Sequence, residues 1–402
     1  MIKRENYLKR IRKLMNKEII KVITGIRRSG KTYLLKSIIQ ELQKQQIPDE
    51  NIIYISLDWP KYKHIKNDEQ LDEIILNLTK NLSGKIYLLF DEIQEVKNWE
   101  KSINSYFAGL NSDIYITGSN SKLLSGELAT YIAGRYIEIK IYPFSYNELI
   151  KYYKEELNTE INPYMEQKIF DEYIHYGGFP FIYQIDPTER VNYLDSIYNT
   201  ILIKDIISKN AIREPELLER LLMFLIDNIG QPFSVNSIIK FLKHEKRNIS
   251  HELISNYIKH ALRAFIIYKV QREDLKGKKY LKISEKYYLA DHGFINMLVE
   301  NPREKEDQIL ENIVYIELLR RGFKVTVGKL NKLEIDFVAK KEDLKIYIQV
   351  SKSIMDEKTF DREYKPLSMI KDNYPKYIIT LDTRNYSQEG IKHLNMIEFL
   401  KE

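Results

Sequence analysis

One stretch, TGIRRSGKT at residues 24–32, constrains the fold of this chain more than any other part of its sequence. Its glycines and its final Lys-Thr pair have the spacing G-x-x-x-x-G-K-[ST] of a P-loop, in which successive backbone N–H groups wrap a chain of phosphates. The mostly apolar residues 19–23 predict a buried strand, and residues 33–46 have the apolar spacing of a helix. This order predicts a nucleotide site at the N-terminus of the helix. The alternative is a flexible Gly/Ser turn that carries a lysine by chance.

Each part of this loop has an expected role in binding a nucleotide. Glycine permits the tight turn and leaves no side chain between backbone and phosphate. We expect Lys31 to reach the β- and γ-phosphates, and the hydroxyl of Thr32 to ligate Mg²⁺. The predicted nucleotide-binding residues of the loop are Gly25, Ile26, Arg27, Arg28, Ser29, Gly30, Lys31, Thr32 and Tyr33.

An acidic pair, Asp91 and Glu92, follows the continuous apolar run IYLLF at residues 86–90, which is typical of a strand covered on both faces. In this Walker B arrangement, Asp91 is expected to bind Mg²⁺ through its water shell, and Glu92 to polarise the attacking water. For such a pair alone, a solvated turn is the alternative. A further strand is predicted at residues 51–57, between the P-loop and this pair. It suits P-loop ATPases that place an extra strand between the two Walker strands.

Two polar residues, Ser119 and Asn120, follow the predicted strand at residues 113–117. The carboxyl end of a central strand is where ligands bind in open α/β sheets. A "sensor 1" contact to the γ-phosphate or to the attacking water is therefore one interpretation. The other is N-capping of a helix predicted at residues 121–132. The two interpretations are compatible.

Arg135 lies at the junction between that helix and a strand predicted at residues 136–141. In AAA-type ATPases an arginine at this junction can reach the γ-phosphate of a neighbouring subunit. This arginine-finger role predicts a homo-oligomer. The alternative is an arginine at a helix C-terminus that interacts with the helix dipole.

From residue 143 the pattern turns helical and reaches a Gly-Gly-aromatic-Pro turn at residues 177–180. Such a turn can be a simple helix C-cap. In ATPases with a helical lid it places its proline against the adenine, so Gly178 and Pro180 join the predicted nucleotide-binding residues. A helix at residues 191–208 would complete the lid.

These motifs, GIRRSGKT, LLFDEIQ, ITGSN, AGRY before YPFS, and HYGGFP, span about half of the chain. Together they resemble a prokaryotic family of AAA-type P-loop ATPases, in the branch that includes origin-recognition and signalling ATPases. The resemblance implies binding and hydrolysis of ATP with Mg²⁺. It also implies a C-terminal module, whose pattern continues from YYLADHGF to the end of this chain.

Three helices and two strands predicted over residues 211–290 indicate a winged helix. In helix-turn-helix proteins the later helix enters the major groove of DNA, and lysines beside it contact phosphate. DNA contact is the favoured interpretation, and protein packing is the alternative. The predicted contacts are His251, Asn256, Lys259 and His260 on that helix, with Lys243, Lys246, Arg247, Lys276, Lys278 and Lys279 around it.

The last segment has the layout of a restriction-endonuclease-like fold: a helix with Glu311, a strand with Asp336, and a strand that ends in a polar pair. Active members need Asp followed by Glu-x-Lys, and here Gln349 and Ser351 stand at the Glu and Lys positions. Glutamine brings no negative charge to a metal ion, and serine cannot stabilise charge as lysine does. We expect a degenerate site without cleavage activity. The alternative, that Asp336 and Glu334 are exposed charges at strand ends, is also fully adequate.

The whole chain predicts an α/β protein of four domains. Residues 1–142 are the P-loop core, 143–210 the helical lid, 211–290 the winged helix and 291–402 the nuclease-like domain. The absence of cysteine excludes disulfides and thiolate metal sites, and a net charge of +6 is compatible with nucleic acid. No apolar run reaches the roughly 20 residues that span a bilayer, and the N-terminus lacks the core of a signal peptide, so a cytoplasmic location is expected.

The predicted function is a Mg²⁺-dependent ATPase whose nucleotide state controls a DNA-binding C-terminal half. One alternative is a nuclease gated by ATP. The other is a slowly hydrolysing signalling switch that recruits protein partners.

Overall fold

Five short apolar segments form a parallel sheet in the first half of the chain. The fold is that of a computed structural model, which describes residues 2–124, 132, 134–243, 249–277 and 279–402. The order in the sheet is β2-β3-β4-β1-β5, and every neighbouring pair is parallel. The strands are β1 (Ile20–Thr24), β2 (Ile52–Ser56), β3 (Ile86–Asp91), β4 (Ser112–Gly118) and β5 (Tyr136–Lys140).

The predicted extra strand between the two Walker strands exists, but it is β4 and not the segment at residues 51–57. That segment is β2, and it forms the edge of the sheet beside β3. Sequence order and spatial order differ because each parallel connection crosses over a face of the sheet. In this order the end of β4 lies between the P-loop strand β1 and the Walker B strand β3.

Helices cover both faces of this sheet. Successive residues of β3 point to opposite faces, so Leu88 packs into the core under one helix pair and Leu89 into the core under the other. This two-sided burial explains the continuous apolar run. The first pair is α3 (Asp68–Thr79) and α4 (Trp99–Gly109), and the second is α1 (Glu5–Leu14) and α2 (Lys31–Lys44).

The chain divides into two compact units. The first comprises the described residues up to Ile141 with Arg263–Phe265, and the second comprises Tyr142–Leu262 and Ile266–Glu402. The second unit begins with helices α5 (Tyr146–Glu155), α6 (Pro163–Tyr176) and α7 (Arg190–Thr200). A capping box between Ser145 and Glu148 starts α5, and α7 continues as a π-helix over Ile201–Ile207.

Three more helices come next, and the strands β6 (Ile267–Asp274) and β7 (Lys279–Leu289) follow them as an antiparallel hairpin. The helices are α8 (Pro215–Asp227), α9 (Val235–Lys243) and α10 (His251–Arg263). The hairpin is part of a larger sheet, because Arg272–Asp274 of β6 pair in parallel with β8 (Lys324–Leu330).

A mixed sheet of seven strands therefore runs through the second unit in the order β12-β11-β10-β9-β8-β6-β7. The border predicted at residues 290 and 291 falls between strands of this one sheet. The remaining elements are α11 (Gly293–Leu298), α12 (Glu306–Arg320), β9 (Leu333–Lys341), β10 (Leu344–Val350), α13 (Glu357–Ser368), β11 (Lys376–Thr380), β12 (Ile391–Asn395) and α14 (Met396–Lys401).

Candidate functional site

The P-loop connects β1 to α2, as predicted, and its two glycines have backbone conformations that favour glycine. Gly25 has φ +151°, and a Cβ there would lie 2.2 Å from the carbonyl oxygen of Ile141. Gly30 has φ +100° and directly precedes α2. A side chain at Gly25 would force the loop away from the end of β5. Ile26 and Ser29 are buried, Arg27 and Tyr33 are half-buried, and Arg28 is exposed.

The side chain of Lys31 lies inside the loop and is only 4% exposed. Its Nζ donates to the carbonyl oxygens of Gly25 and Ile26, each at 3.2 Å. The nearest carboxylate oxygen is Oε1 of Glu92, at 3.6 Å. Two carbonyl oxygens, the carboxylate of Glu92 and the electrostatic influence of Asp91 surround this ammonium group, and the negative charge of a phosphate would attract it as well.

Asp91 accepts hydrogen bonds from hydroxyls of three different elements. Thr32 of α2 donates to Oδ2 at 2.7 Å, Tyr54 of β2 donates to the same oxygen at 3.2 Å, and Thr117 of β4 donates to Oδ1 at 2.5 Å. Burial raises the pKa of Asp91, and the hydrogen bonds from Thr117 and Thr32 oppose that rise. The carboxylate therefore lies beside Thr32, the residue with which it was predicted to share Mg²⁺.

Glu92 has a left-handed backbone, with φ +56°, and this turns its side chain towards the P-loop lysine. Its carboxylate also accepts a hydrogen bond from Nε2 of Gln94. Its backbone N–H donates to Oγ1 of Thr117 at 3.0 Å. Thr117 thus contacts both members of the acidic pair.

Sequence reasoning missed Thr117 and Tyr54 as members of this site. Thr117 ends the strand predicted at residues 113–117, whose carboxyl end was expected to face the ligand, so this position was the signal that could have identified it. Ser119 and Asn120, to which the sensor role was assigned, follow β4 and are buried. Ser121–Leu124 form a 3₁₀ turn, and the rest of the predicted helix lies largely outside the described residues.

Arg135 lies on the surface of the first unit, just before β5. Its Nη1 donates to Oδ1 of Asn104 at 3.0 Å, and its guanidinium lies 5.8 Å from the ring centre of Phe107. Both partners belong to α4. These contacts orient an exposed arginine without burying its charge.

In the second unit, the predicted turn at Gly178 and Pro180 meets the segment that follows β7. The N–H of Gly178 donates to Oδ2 of Asp291 at 2.7 Å, and the N–H of Gly293 donates to Oδ1 at 2.9 Å. A Cβ on Gly178 would lie 2.3 Å from the carbonyl oxygen of Phe144. Pro180 is buried and begins a 3₁₀ turn. The adenine contact of this turn stays a prediction.

Three of the four residues of the predicted degenerate nuclease site lie in two groups of polar contacts, which interact with each other electrostatically. Glu311 pairs with Lys286 of β7 at 3.1 Å, and Lys286 also pairs with Glu334 at 2.8 Å. The N–H of Asp336 donates to Oε1 of Gln349 at 2.7 Å. Nε2 of Gln349 donates to Glu363, and the N–H of Val350 donates to Asp336, while the hydroxyl of Ser351 turns away to the carbonyl of Ser353.

Lys286 was not foreseen, because the strand that carries it was assigned to the wing of a separate domain. Burial alone would lower the pKa of Lys286, but the nearby carboxylates of Glu311, Asp336 and Glu334 outweigh it and raise that pKa. Burial likewise raises the pKa of Asp336 well above its usual value. Among the described residues, no group of three or more His, Cys, Asp or Glu side chains is arranged to hold a metal ion.

On α10, the predicted DNA contacts His251, Asn256 and Lys259 are exposed, and His260 is half-buried. Lys276, in the turn between β6 and β7, is also exposed. Lys246, Arg247 and Lys278, with the side chains of Lys243 and Lys279, lie outside the described residues. In the part of the chain that the structure describes, no helix is long and apolar enough to cross a membrane.

Comparisons with known proteins assign families to two parts of the chain. Residues 17–150 match the model of an AAA domain, and residues 167–305 match that of a domain of unknown function.

Two relatives match most of the chain. An uncharacterised protein of Haemophilus influenzae is 38% identical over 403 residues, which cover 100% of this chain and 98% of the relative. An uncharacterised protein of Methanocaldococcus jannaschii is 31% identical over 392 residues, covering 94% of this chain and 84% of that one. Among solved structures, a Walker-type ATPase of Pyrococcus abyssi is similar over 73% of this chain and 95% of its own, at 16% identity and a TM-score of 0.49.

Proposed function

This AAA-type P-loop chain belongs to the same protein family as the uncharacterised proteins of Haemophilus influenzae and Methanocaldococcus jannaschii, and from that premise we propose that it binds and hydrolyses ATP with Mg²⁺. The observation that carries the proposal is the convergence of Lys31, Thr32, Asp91 and Glu92 at one edge of the sheet. Two of these side chains begin α2 and two lie at the end of β3, and Thr32 and Asp91 are 59 residues apart in the sequence.

The donor atoms fit the ions and phosphates that ATP hydrolysis requires. Mg²⁺ prefers one or two carboxylates together with substrate phosphates and water, and Thr32 with Asp91 offers a hydroxyl and a carboxylate at 2.7 Å from each other. When bound, Mg²⁺ neutralises charge on the β- and γ-phosphates. Lys31 binds the same phosphates from inside the loop. Once Lys31 engages a phosphate, Oε1 of Glu92 can hold and polarise the attacking water.

A turnover assay of the Glu92→Gln variant tests this proposal. The amide keeps the shape of the side chain but cannot act as a base, so turnover should fall about 10²- to 10⁴-fold while ATP binding persists. Glu95→Gln, an exposed carboxylate on the next turn, is the matched control and should keep wild-type turnover. Equal turnover of wild type and Glu92→Gln would exclude hydrolysis at this site.

We also propose that the active form is a homo-oligomer in which Arg135 acts on the site of a neighbouring subunit. Its exposed guanidinium on the surface of the first unit supports this role. Arg135→Ala should cut turnover at least tenfold and leave ATP affinity nearly unchanged.

Mixing two inactive variants separates a finger acting between subunits from an effect within one subunit. Arg135→Ala keeps an intact Walker B pair, and Glu92→Gln keeps the arginine, so mixed oligomers should regain turnover. Mixing Arg135→Ala with the double variant, which carries both Glu92→Gln and Arg135→Ala, should restore no turnover, because neither subunit then has the arginine. Unchanged turnover of the Arg135→Ala variant alone would contradict the arginine-finger role.

For the C-terminal half we propose DNA binding that depends on nucleotide state. The exposed His251, Asn256 and Lys259 on one face of α10 support this role. Turnover and binding should be measured with duplex and with single-stranded DNA over a range of salt, because phosphate contacts weaken steeply as salt rises. Tightly retained nucleotide with no DNA affinity at low salt would favour a signalling switch instead. We do not propose cleavage, since Lys286 already pairs with Glu311 in the nuclease-like region.

A further inference from the structure

We propose that Tyr54 is a positioning residue for the Walker B carboxylate, and that its hydroxyl, together with that of Thr32, holds Oδ2 of Asp91 in place. The inference rests on the proposed ATPase function and deepens it. Nothing in the sequence motifs points to Tyr54, because it belongs to the edge strand and to neither Walker motif.

The geometry of the sheet brings Tyr54 to Asp91. Strand β2 pairs with β3 in a parallel register that sets Tyr54 opposite Leu89 and Ser56 opposite Asp91. The hydroxyl of Tyr54 reaches along this edge to Oδ2 of Asp91, at 3.2 Å. A tyrosine hydroxyl ordinarily ionises only at about pH 10, so it keeps its proton and remains a donor at neutral pH.

The two carboxylate oxygens of Asp91 accept hydrogen bonds from different residues. Oδ1 is held by Thr117, whereas Oδ2 is shared by Thr32 and Tyr54. In the proposed reaction the hydroxyl oxygen of Thr32 also ligates Mg²⁺, and the hydroxyl of Tyr54 is the donor to Oδ2 that is not engaged with the metal. Tyr54 keeps that oxygen directed at the metal position, and thereby sets how readily Mg²⁺ binds.

An exposed tryptophan packs against Tyr54 and supplies an optical signal from this site. The ring of Trp59 meets that of Tyr54 edge to face, with centres 5.4 Å apart and planes at 88°. Trp59 is 45% exposed, whereas Trp99, the other tryptophan of the chain, is 4% exposed. A Trp99→Phe background therefore leaves Trp59 as the reporter of events at Tyr54 and Asp91.

The test compares Tyr54→Phe with Tyr87→Phe in the full-length protein. Tyr87 lies on the adjacent strand β3, and its hydroxyl donates to Asn16 at 2.8 Å, so its loss removes a similar bond elsewhere in the same unit. Binding of a fluorescent ATP analogue, and turnover of ATP, are measured while Mg²⁺ is titrated.

In Tyr54→Phe the Mg²⁺ concentration for half-maximal binding and turnover should rise about tenfold, the size expected for one hydrogen bond to a charged group. Turnover at saturating Mg²⁺ should recover to within a few-fold of wild type, and analogue binding without Mg²⁺ should not change. Tyr87→Phe should match the wild type throughout. An unchanged Mg²⁺ requirement in Tyr54→Phe overturns the inference, as does a loss of turnover that no Mg²⁺ concentration restores.

Trp59 emission separates failure of this inference from failure of the proposed function. If the wild type binds the Mg²⁺ nucleotide but does not hydrolyse it, only the ATPase proposal fails. The Mg²⁺ dependence of Trp59 emission in the Trp99→Phe background, with and without Tyr54→Phe, then decides the role of Tyr54. A wild type that binds no nucleotide overturns both.

Discussion

Lys31 of the first unit and Lys286 of the second are buried to the same extent, each 4% exposed, yet their surroundings differ in kind. Lys31 has two carbonyl oxygens at 3.2 Å and a single carboxylate oxygen at 3.6 Å. Lys286 has two carboxylate partners, Glu311 at 3.1 Å and Glu334 at 2.8 Å. A buried lysine whose carboxylate contact is longer can exchange that contact for a phosphate, whereas one with two close carboxylates is neutralised by the fold.

The carboxylates of the two regions differ in the same way. Asp91 is held by the hydroxyls of threonines and a tyrosine, which are neutral donors and leave its negative charge available to a metal ion. Glu334 is held by Lys286 and by Arg272 at 2.8 Å, charged partners that are costly to remove. The same residue types therefore serve ligand binding in one unit and cohesion of the sheet in the other.

The same substitution at both lysines should produce opposite losses. Lys31→Met should lower turnover by at least 10²-fold, because a charge that stabilises the transferring phosphate is removed, and should change the free energy of unfolding little. Lys286→Met should destabilise the protein by about 3–5 kcal/mol, because it leaves buried carboxylates uncompensated, and should keep turnover per folded molecule. Urea unfolding and steady-state hydrolysis measure the two effects.

Lys269→Met is the control for the stability effect. Lys269 lies on β6, is exposed, and pairs with Glu285 at 2.8 Å, so its loss should cost less than about 1 kcal/mol. The contrast between the two regions would be wrong if Lys286→Met cost no more than this control. It would also be wrong if Lys31→Met unfolded the protein.

The sequence allowed the local parts of the candidate site to be predicted and left its long-range contacts hidden. Strand, loop and helix are contiguous around the P-loop, and Asp91 follows its own strand, so short motifs were sufficient. Thr117 and Tyr54 reach Asp91 only because β3 lies between β2 and β4, an order that no local pattern encodes. The pairing of Lys286 with Glu311 likewise depends on β7 joining the C-terminal sheet.

Thr117→Val tests whether Asp91 depends on its exchangeable hydroxyl partners. The change keeps the size of the side chain but removes the hydroxyl that bridges Asp91 and the N–H of Glu92. Turnover should fall about tenfold, the worth of one hydrogen bond to a charged group, with ATP affinity nearly constant. Thr79→Val, a buried threonine on α3 that donates to the carbonyl of Ile75, is the control. Equal turnover of Thr117→Val and Thr79→Val would show that the hydroxyl of Thr117 does not contribute to hydrolysis.

Asp291 is a buried carboxylate of a third kind, because its hydrogen-bond donors are the backbone N–H groups of Gly178 and Gly293. Burial raises the pKa of Asp291 to about 7. At pH 4 to 7 the folded protein therefore retains a proton that the unfolded chain, with a pKa near 3.8, has lost. Stability must fall as pH rises through this range, by about 1 kcal/mol between pH 6 and pH 7.

The variant Asp291→Asn isolates this contribution, because the amide has no proton to lose. Burial lowers the pKa of the neighbouring His292 to about 4, and this shift acts on stability with the opposite sign, but it is common to both proteins. The difference in unfolding free energy between wild type and variant, measured by urea titration from pH 5 to pH 8, should therefore fall as pH rises and level off above about pH 7. A difference that stays constant over this range would mean that the backbone donors keep Asp291 ionised in the folded protein.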